Sequence, residues 1–451
     1  MTRHDVLNPA TEEVVKTIEL ADERAADEAI ARAQKAFETW RNTDPSDRAR
    51  LLRRFADRLD AANEELARLE VDNAGHTIGN ARWEAGNVRD LMEYSAGAPE
   101  RLIGDQIPVP GGMNVTFHEP IGVVGVIVPW NFPMPILGWA LGPALAAGNT
   151  VVAKPAELTP LTAMRIAELA LEAGLPEGVF QVVPGSGRVV GERFTSHPAV
   201  RKVVFTGSTA VGKHIMARCS DQLKRVTLEL GGKNANIVFA DADLDAAAAA
   251  APGGAFDNAG QDCCARSRIL VQRSVLDGFL EKLEPAVRGF ACGDPSDEST
   301  GMGPLISASH REKVQEYIDG GDVLFRGTAP EGKGYWTAPT VLMSRGREDR
   351  AFAEEVFGPV VSVLPFDDEE EAVRIANDTD YGLSGSIWTR DAGRAIRVSR
   401  AVESGNLSVN SHSSVRYWTP FGGFKQSGLG RELGPDAAKA FTETKNVFFA
   451  S

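Results

Sequence analysis

Short apolar runs alternate with longer segments of helical periodicity along most of the chain. The clearest run covers residues 121–128, and an apolar helical segment follows it to residue 147. Similar runs at residues 150–155 and 203–206 each lead through a turn into a helical pattern. Such runs are typical of strands buried on both faces of a parallel sheet. The alternation predicts an α/β fold with helices on both faces of its sheets.

Helical periodicity dominates the first hundred residues. It predicts helices over residues 22–40 and 80–96 and, between them, a helix that begins at Pro45 with Asp44 as its N-cap. A strand is predicted over residues 14–20. The charged residues of the helices, such as Arg53 and Glu64, are interpreted as a solvated face.

The length of 451 residues predicts two or three domains. A second series of strands and helices begins after the glycine pair Gly231-Gly232. We therefore predict two doubly wound α/β domains, formed by residues 1–102 with 120–231 and by residues 232–430. A turn rich in Pro and Gly predicts a hairpin over residues 103–119, and the apolar, extended end of residues 431–451 completes a small β element.

Composition narrows the functional classes. The formal net charge of -14 argues against a nucleic-acid partner, which would need a basic surface. Four scattered cysteines do not form a secreted disulfide framework. No apolar run is long enough to span a membrane, and the first residues lack the apolar core of a signal peptide. We expect a cytoplasmic protein with no membrane partner.

The adjacent cysteines Cys263 and Cys264 follow a polar turn after an alanine-rich run. Disulfide geometry makes a bond between neighbouring cysteines unfavourable. No second cysteine pair or histidine cluster stands at ligand spacing, so no metal site is predicted. Taken alone, the pair is either an inert buried thiol, the commoner role, or a nucleophile.

Several polar residues at predicted strand ends are candidates for chemistry, although each has a structural alternative. Glu229 lies in an apolar strand, where burial would raise its pKa and make it a general base. Asn131 stands between two prolines and could donate to an oxyanion. Lys154 and Glu157 follow a strand and either bind a ribose or form a surface ion pair. Gly207-Ser208 opens a helix that suits a pyrophosphate.

Together these segments resemble the hydrolytic, non-phosphorylating type of the NAD(P)-dependent aldehyde dehydrogenases, from about residue 8 to residue 447. The segments that carry the resemblance are Pro129-Trp130-Asn131-Phe132-Pro133, Lys154-Pro155-Ala156-Glu157, Phe205-Thr206-Gly207-Ser208, Leu228-Glu229-Leu230-Gly231-Gly232-Lys233, Gly260-Gln261-Asp262-Cys263, Glu355-Val356-Phe357-Gly358-Pro359 and Pro420-Phe421-Gly422-Gly423-Phe424-Lys425-Gln426-Ser427-Gly428.

The resemblance implies roles for these residues. Cys263 is the expected nucleophile, Glu229 the base, and Asn131 an oxyanion donor together with the backbone N–H of Cys263. The first α/β domain is expected to bind the dinucleotide and the second to be catalytic. The residues expected to bind the cofactor are Trp130, Lys154, Glu157, Gly207, Ser208, Glu355 and Phe357.

Three features depart from the usual pattern of the family. Asp257 and Asp262 are expected to raise the pKa of Cys263 if they lie close to it. Arg266 replaces a residue that is commonly small, and it can offset these carboxylates. Finally, the sequence Pro252-Gly253-Gly254 is expected to interrupt the helix before the catalytic turn.

The resemblance places Phe132, Ile136, Trp139, Asp262 and the loop 411–418, with Trp418, at the substrate pocket. Aromatic rings with an acidic group predict an amino- or betaine-type aldehyde, bound through cation–π contacts. The alternative is a broad pocket for aliphatic and aromatic aldehydes.

NAD is the expected cofactor, because a carboxylate at Glu157 would repel the 2′-phosphate of NADP, although nearby basic residues leave NADP open. The resemblance also implies a homodimer or homotetramer, assembled through the hairpin and the C-terminal strand. Two other functions stand beside the main hypothesis: a non-catalytic protein on the same scaffold, and an enzyme that passes the acyl group to coenzyme A or phosphate. The complete set of candidate catalytic residues argues against the first, and the retention of Glu229 argues against the second.

Overall fold

The computed structural model describes residues 2–413 and 415–451. The strands, in chain order, are β1 (Thr2–Leu7), β2 (Val14–Leu20), β3 (Gln106–Val109), β4 (Gly112–Pro120), β5 (Val123–Ile127), β6 (Thr150–Lys154), β7 (Phe180–Val182), β8 (Val200–Thr206), β9 (Arg225–Glu229), β10 (Ala235–Val238), β11 (Arg268–Gln272), β12 (Asp322–Arg326), β13 (Thr340–Met343), β14 (Val360–Phe366), β15 (Ser384–Trp388), β16 (Asn406–Val409), β17 (Gly428–Leu429) and β18 (Thr442–Ala450).

The α-helices are α1 (Glu23–Trp40), α2 (Pro45–Ala61), α3 (Asn63–Ala74), α4 (Ile78–Ala96), α5 (Pro133–Ala146), α6 (Leu161–Glu172), α7 (Glu192–Ser196), α8 (Thr209–Ser220), α9 (Leu244–Phe256), α10 (Leu276–Arg288), α11 (Ala308–Asp319), α12 (Arg350–Ala353), α13 (Glu369–Asn377) and α14 (Ala392–Ala401). The start of α2 is the predicted one, with Asp44 accepting a hydrogen bond from the Ser46 N–H. Arg53 and Glu64 are exposed, as the prediction of a solvated helix face requires.

The first large sheet has six strands in the order β17-β9-β8-β5-β6-β7. Strands β9, β8, β5, β6 and β7 are parallel, and β17 pairs antiparallel with β9. Both faces are covered, because Val124 and Val126 of β5 enter one hydrophobic core and Val123 and Ile127 enter another. The strand β17 lies within the segment 232–430 that we predicted as the second domain, yet it extends this first sheet.

The second large sheet has seven strands in the order β12-β13-β14-β11-β10-β15-β16. All neighbouring pairs are parallel except β12 with β13. Its two faces are also buried, since Ile269 and Val271 face one core and Leu270 faces the other. The predicted α/β fold with two doubly wound sheets is therefore confirmed.

A separate three-stranded sheet has the order β18-β4-β3. The hairpin predicted over residues 103–119 is present as β3 and β4, and the C-terminal strand β18 pairs antiparallel with β4 of its own chain. Among the residues described, no helix combines the length and the apolar character needed to span a membrane.

The expectation that Pro252 interrupts its helix is wrong. The helix α9 runs without a break from Leu244 to Phe256, with Pro252 inside it. A proline within a helix removes one backbone hydrogen bond and strains the turn before it. Here the buried face of α9, which includes Ala248, Ala251 and Phe256, packs into the core beside α10. This packing outweighs the local preference of the proline.

Candidate active site

The candidate site lies at the edge where the parallel strands of the first sheet end. Asn131 follows β5, Lys154 ends β6, Gly207 follows β8, and Glu229 ends β9. In parallel sheets ligands bind beyond the carboxyl ends of the strands. The chain order of the strands thus gathers side chains that are far apart in the sequence.

A tight turn over Asp257–Gly260 delivers the cysteine pair to this edge. Its residues Asn258 and Ala259 adopt the left-handed conformation, with φ of 49° and 54°, and Gly260 follows with a φ of 68°. A Cβ on Gly260 would lie 2.1 Å from the carbonyl oxygen of Gly358. The turn can therefore dock on the Glu355–Pro359 loop only with glycine at this position.

Cys263 lies in the following open turn and is half-buried, while Cys264 is buried. The carbonyl of Cys263 accepts a hydrogen bond of 2.7 Å from Asn234 Nδ2, and the N–H of Cys264 donates to Asp262 Oδ1 at 2.8 Å. A Cβ on Gly232 would come within 2.5 Å of the Cys263 carbonyl oxygen. The backbone on both sides of the thiol is therefore held in place.

The surroundings of Cys263 raise the pKa of its thiol well above the ordinary value. The largest cause is the hydrogen bond with Cys264, followed by burial, with the Cys264 and Asp262 charges adding to it. The predicted effect of Asp262 is confirmed. Burial raises the pKa of Asp262 itself to about 6, and the nearby Asp257 adds to that increase. The carboxyl of Asp257 accepts a hydrogen bond from Asn80 Nδ2 at 2.5 Å.

Arg266 is buried beneath the cysteine turn. Its guanidinium donates to the carbonyl of Cys264, to Ser386 Oγ at 2.9 Å and to the carbonyl of His412 at 3.0 Å. Its positive charge lowers the pKa of Asp262, in opposition to burial. The expectation that Arg266 offsets the carboxylate is confirmed, and the same side chain ties the loop after β16 to the cysteine turn.

Asn131 is buried at the base of the site. Its Nδ2 donates to the carbonyl of Gln261 at 3.0 Å, and its own carbonyl accepts a hydrogen bond of 2.7 Å from Asn258 Nδ2. The predicted oxyanion donor is thus bonded to the turn that carries Cys263. A side-chain amide has two N–H groups, and among the described residues only Gln261 accepts from Asn131 Nδ2, so the second N–H can serve a ligand.

Glu229 is only 2% exposed, and neither carboxylate oxygen has a hydrogen-bond partner among the residues described. Its pKa is raised well above the ordinary value, first by burial and then by the charge of Glu432, whereas Arg431 opposes this increase. The predicted effect of burial on this carboxyl is confirmed. A buried carboxyl whose pKa is raised in this way can act as a general base.

Glu432 is a site residue that the sequence did not indicate. It is buried, and both of its carboxylate oxygens lack partners within the described chain. Burial raises the pKa of Glu432 to about 7, and Lys202 lowers it. In the sequence, two charged residues follow a glycine in Gly430-Arg431-Glu432, and this pattern is typical of an exposed turn. Backbone pairing between Phe421 and Glu432 turns this side chain inward, and only the tertiary structure gives that pairing.

A cleft of about 840 Å³ extends along the strand edge away from Cys263. Its lining includes five of the residues predicted to bind the cofactor, namely Trp130, Lys154, Glu157, Gly207 and Ser208. Burial lowers the pKa of Lys154 to about 8, and Glu157 opposes that decrease. Ser208 caps α8 by accepting a hydrogen bond from the Val211 N–H, so the N-terminus of this helix opens into the cleft.

The other two predicted cofactor residues lie between the cleft and the nucleophile. Glu355 Oε1 accepts a hydrogen bond of 2.8 Å from the Gly232 N–H, and its charge contributes to the raised pKa of Cys263. The ring of Phe357 meets the ring of Trp130 edge to face, with 5.3 Å between centroids. Residues more than two hundred positions apart in the sequence are therefore joined at one end of the cleft.

The predicted substrate residues divide into two groups. Ile136 and Trp139 are buried, and with the half-buried Phe132 they belong to one apolar cluster that reaches both Cys263 and Cys264. Trp139 packs on Phe421, with 4.8 Å between ring centroids. This group forms an apolar wall beside the thiol.

Trp418 does not belong to that cluster. It is half exposed and lies edge to face against Tyr417, which in turn packs against Tyr94 at 5.5 Å. Asp262, the acidic residue of the predicted pocket, directs Oδ1 to the Cys264 N–H. Within the loop 411–418, Ser414 lies outside the described residues.

Comparison with known proteins gives one consistent result. Residues 1–447 match the family described as the aldehyde dehydrogenase family. The chain is 42% identical over 452 residues to an aldehyde dehydrogenase of Emericella nidulans, covering 98% of this chain and 91% of that protein. It is 42% identical over 464 residues to a phenylacetaldehyde dehydrogenase of Pseudomonas fluorescens, covering 99% and 92%.

A solved structure agrees with the comparison of sequences. The betaine aldehyde dehydrogenase of Staphylococcus aureus, in complex with NAD+, superimposes with a TM-score of 0.96 at 37% identity, covering 99% of this chain and 91% of that one. The match to the family extends over nearly the whole chain and includes every segment of the site. The chain belongs to the aldehyde dehydrogenase family, a family of oxidoreductases.

Proposed function

We propose that this protein oxidises an aldehyde to a carboxylic acid, with Cys263 as the nucleophile and NAD as the hydride acceptor. One arrangement supports this most strongly. Asn131 is bonded to the turn that carries Cys263, and the unpaired, buried carboxyl of Glu229 lies close enough to feel the charge of Cys264. A nucleophile, an oxyanion donor and a base are the three groups that acyl chemistry needs.

In the first step the sulfur of Cys263 adds to the aldehyde carbon and a C–S bond forms. The carbonyl electron pair moves onto oxygen, where the free N–H of Asn131 and the backbone N–H of Cys263 can donate. The raised pKa of Cys263 means that the resting thiol holds its proton at neutral pH. The thiol proton must therefore leave to solvent as the sulfur attacks, so that Glu229 can accept a proton in the later hydrolysis.

NAD held in the cleft lined by Trp130, Lys154 and Ser208 would supply the hydride acceptor, and loss of hydride from the tetrahedral carbon would leave a thioester on Cys263. Glu229 then takes a proton from water, and the resulting oxygen nucleophile attacks the thioester carbon. The C–S bond breaks and the electron pair returns to sulfur, releasing the carboxylic acid. A carboxyl with a raised pKa is a stronger base than an exposed one, which suits this step.

The cleft has the features that a dinucleotide requires. Lys154 and Glu157 can bind the hydroxyls of a ribose, the N-terminus of α8 at Ser208 favours a pyrophosphate, and Glu355 can bind the second ribose. A Cβ on Gly207 would lie 2.5 Å from the ring of Phe205, so the glycine keeps this wall open. A carboxylate at Glu157 disfavours the additional phosphate of NADP.

For the substrate we favour an aliphatic or aromatic aldehyde without charge. The wall beside Cys263 is apolar. The carboxyl of Asp262, which a cationic substrate would need, already accepts the Cys264 N–H. An amino- or betaine-type aldehyde is the second candidate. It is favoured by the half-exposed ring of Trp418 and by the likeness to a betaine aldehyde dehydrogenase.

We also propose assembly into a dimer or a tetramer through the three-stranded sheet. Strand pairing places Phe449 beside Met113 on one face of this sheet and Phe448 beside Asn114 on the other. Both phenylalanines are half exposed, at 51% for Phe448 and 50% for Phe449. A small sheet with apolar side chains on both faces is typical of an interface.

The test follows NADH formation at 340 nm with hexanal, benzaldehyde, betaine aldehyde and 4-aminobutanal. We expect the two uncharged aldehydes to give the higher kcat/KM.

Cys263→Ser should lower the rate by roughly 10³-fold or more, as removal of a catalytic nucleophile does elsewhere. The matched control, Cys264→Ser, should retain most activity. Full activity in Cys263→Ser would refute the mechanism, and a preference for the cationic pair would refute only the substrate proposal.

A further inference from the structure

A buried cluster of ionisable side chains lies beneath the candidate active site. It consists of Glu70 in α3, His76 between α3 and α4, and Glu84 in α4, and their exposed fractions are 0%, 2% and 0%. His76 Nδ1 is 2.5 Å from Glu84 Oε1 and 4.0 Å from Glu70 Oε1. The proposed reaction uses none of these groups.

The cluster is held by charge. Glu70 Oε1 and Glu84 Oε2 have no hydrogen-bond partner in the part of the chain that the structure describes. The other oxygen of Glu70, Oε2, accepts a hydrogen bond from Asn73 Nδ2 at 3.3 Å. Burying a carboxylate without a partner is strongly unfavourable. A positively charged imidazole between the two carboxyls offsets part of that penalty, although burial still raises the pKa of Glu70 to about 7 and raises the pKa of Glu84. The ring of His76 is therefore the group that allows the cluster to be buried.

Two contacts connect this cluster to the active site. On one side the ring of His76 packs against the ring of Phe132, with 5.6 Å between centroids. Phe132 directly follows Asn131. On the other side Asn80 of α4 donates to Asp257 at 2.5 Å. The residue after Asp257, Asn258, donates to the carbonyl of Asn131 at 2.7 Å. Both routes lead to the oxyanion donor.

We propose that His76 is a positioning residue, whose charged ring, held by Glu84 and Glu70, fixes Phe132 and α4 so that Asn131 and Cys263 keep the geometry needed for the oxyanion. The role rests on the proposed function. His76 itself touches neither substrate nor cofactor. Without the charge the two carboxyls would repel each other, α4 would move, and the loop at Asn131 and the turn at Asp257 would lose their common support.

The groups that face the imidazole set the direction of its pH dependence. Burial by itself lowers the pKa of His76, but the attraction of Glu84, with Glu70 and Asp257 adding to it, raises the pKa to about 9. The charge is therefore complete near neutral pH and is lost as the pH rises through about 9. We expect kcat to decline in that range in a manner that depends on residue 76.

The experiment compares His76→Gln, which is neutral, with His76→Lys, which keeps a positive charge. His76→Gln should lower kcat for hexanal by about tenfold or more, a part of the 10²–10³-fold that one oxyanion donor contributes. The affinity for NAD should stay within about twofold, because the cleft lies away from the cluster. His76→Lys should restore most of kcat. It should also move the decline of kcat to higher pH, since an ordinary lysine titrates near ~10.4.

A matched variant separates positioning from simple loss of packing. Val71 lies in α3 beside Glu70 and packs in a buried cluster with Ala67 and Ile78. Val71→Ala should destabilise α3 without changing any charge. It should lower the melting temperature and leave kcat and its pH profile nearly unchanged. If Val71→Ala lowered kcat as much as His76→Gln at equal stability, or if His76→Lys restored nothing, the positioning role would be refuted.

A second readout does not depend on aldehyde oxidation. The rate of alkylation of Cys263 by iodoacetamide, measured by mass spectrometry of its peptide, reports the reactivity of the thiol directly. We expect His76→Gln to change this rate at least threefold relative to the unaltered protein, whether or not any aldehyde is oxidised. Equal rates in the two proteins would overturn the proposal. A stoichiometric zinc or manganese ion that is lost in His76→Gln would also overturn it, because the cluster would then be a metal site.

Discussion

At the scale of single residues, the proposed base Glu229 is affected by a second buried carboxyl, that of Glu432. Glu229 and Glu432 have four oxygens without hydrogen-bond partners among the described residues, and each is almost completely buried. The charge of Glu432 is the second cause, after burial, of the raised pKa of Glu229. Two like charges in one buried site cannot both ionise easily. Glu432 therefore adds to the effect of burial on the pH at which Glu229 becomes a base.

This relation predicts the behaviour of two variants. Glu229→Gln should lower kcat by about 10²–10⁴-fold, the usual contribution of a general base, and acyl-enzyme should accumulate on Cys263. Glu432→Gln should lower the pKa of Glu229, because a negative charge is removed. The acidic limb of the kcat profile should then move to lower pH. The measurement is kcat between pH 5 and 9, with intact-protein mass spectrometry after quenching. An unchanged acidic limb in Glu432→Gln would contradict this coupling.

At the scale of elements, the turn between α9 and the cysteine pair determines the position of Cys263. Three consecutive residues with positive φ are needed for its path, and the turn presses against the carbonyl of Gly358. The preceding helix provides a natural control. Gly253 of α9 has no atom near the position of a Cβ, whereas a Cβ on Gly254 would lie 2.6 Å from the ring of His412.

We expect Gly260→Ala to strain the turn by about 1–3 kcal/mol and to shift Cys263. A displacement of ~1 Å at a reacting group reduces rates by about 10²-fold, so kcat should fall by that order. Gly253→Ala should leave kcat unchanged and increase stability slightly, because alanine is better than glycine in a helix by about 1 kcal/mol. Thermal unfolding and NADH formation distinguish the two. Normal activity in Gly260→Ala would show that the turn tolerates a different path.

Much of the element pattern follows from the sequence. The strand Val14–Leu20 has the bounds predicted for it, and α2 begins at the predicted Pro45, because apolar periodicity and turn residues are local signals. The strand β1 was not predicted, since it carries polar residues and is exposed over most of its length. The error at Pro252 arose because local preference was applied where burial in the core prevails.

At the scale of the whole molecule, the two large sheets share the site and the third sheet stands apart from it. The pairing of β18 with β4 joins the C-terminal end to the hairpin. Several of the exposed large apolar side chains lie on this sheet, among them Phe117, Phe448 and Phe449. Exposed apolar surface of this kind is unfavourable for an isolated subunit.

We therefore expect Phe448→Ser and Phe449→Ser to shift the protein towards smaller assemblies. Size-exclusion chromatography with light scattering should show a lower mass for each variant than for the unaltered protein. Ile396→Ser is the matched control, because Ile396 is 62% exposed and lies in α14, which packs beside β15 of the seven-stranded sheet. A lower mass for the control as well, or a monomeric unaltered protein, would contradict assembly through this surface.

The sequence by itself determined the α/β class, the strand that precedes Asn131, the strands that end at Lys154 and Glu229, and the prediction of Cys263 as the nucleophile. These features follow from local periodicity and from motifs that need only neighbouring residues. Glu432, the packing of His76 on Phe132 and the inward hydrogen bond of Asp262 were decided only by the tertiary structure. Their environments are made by segments that are distant in the chain, and burial and electric field arise only when those segments meet.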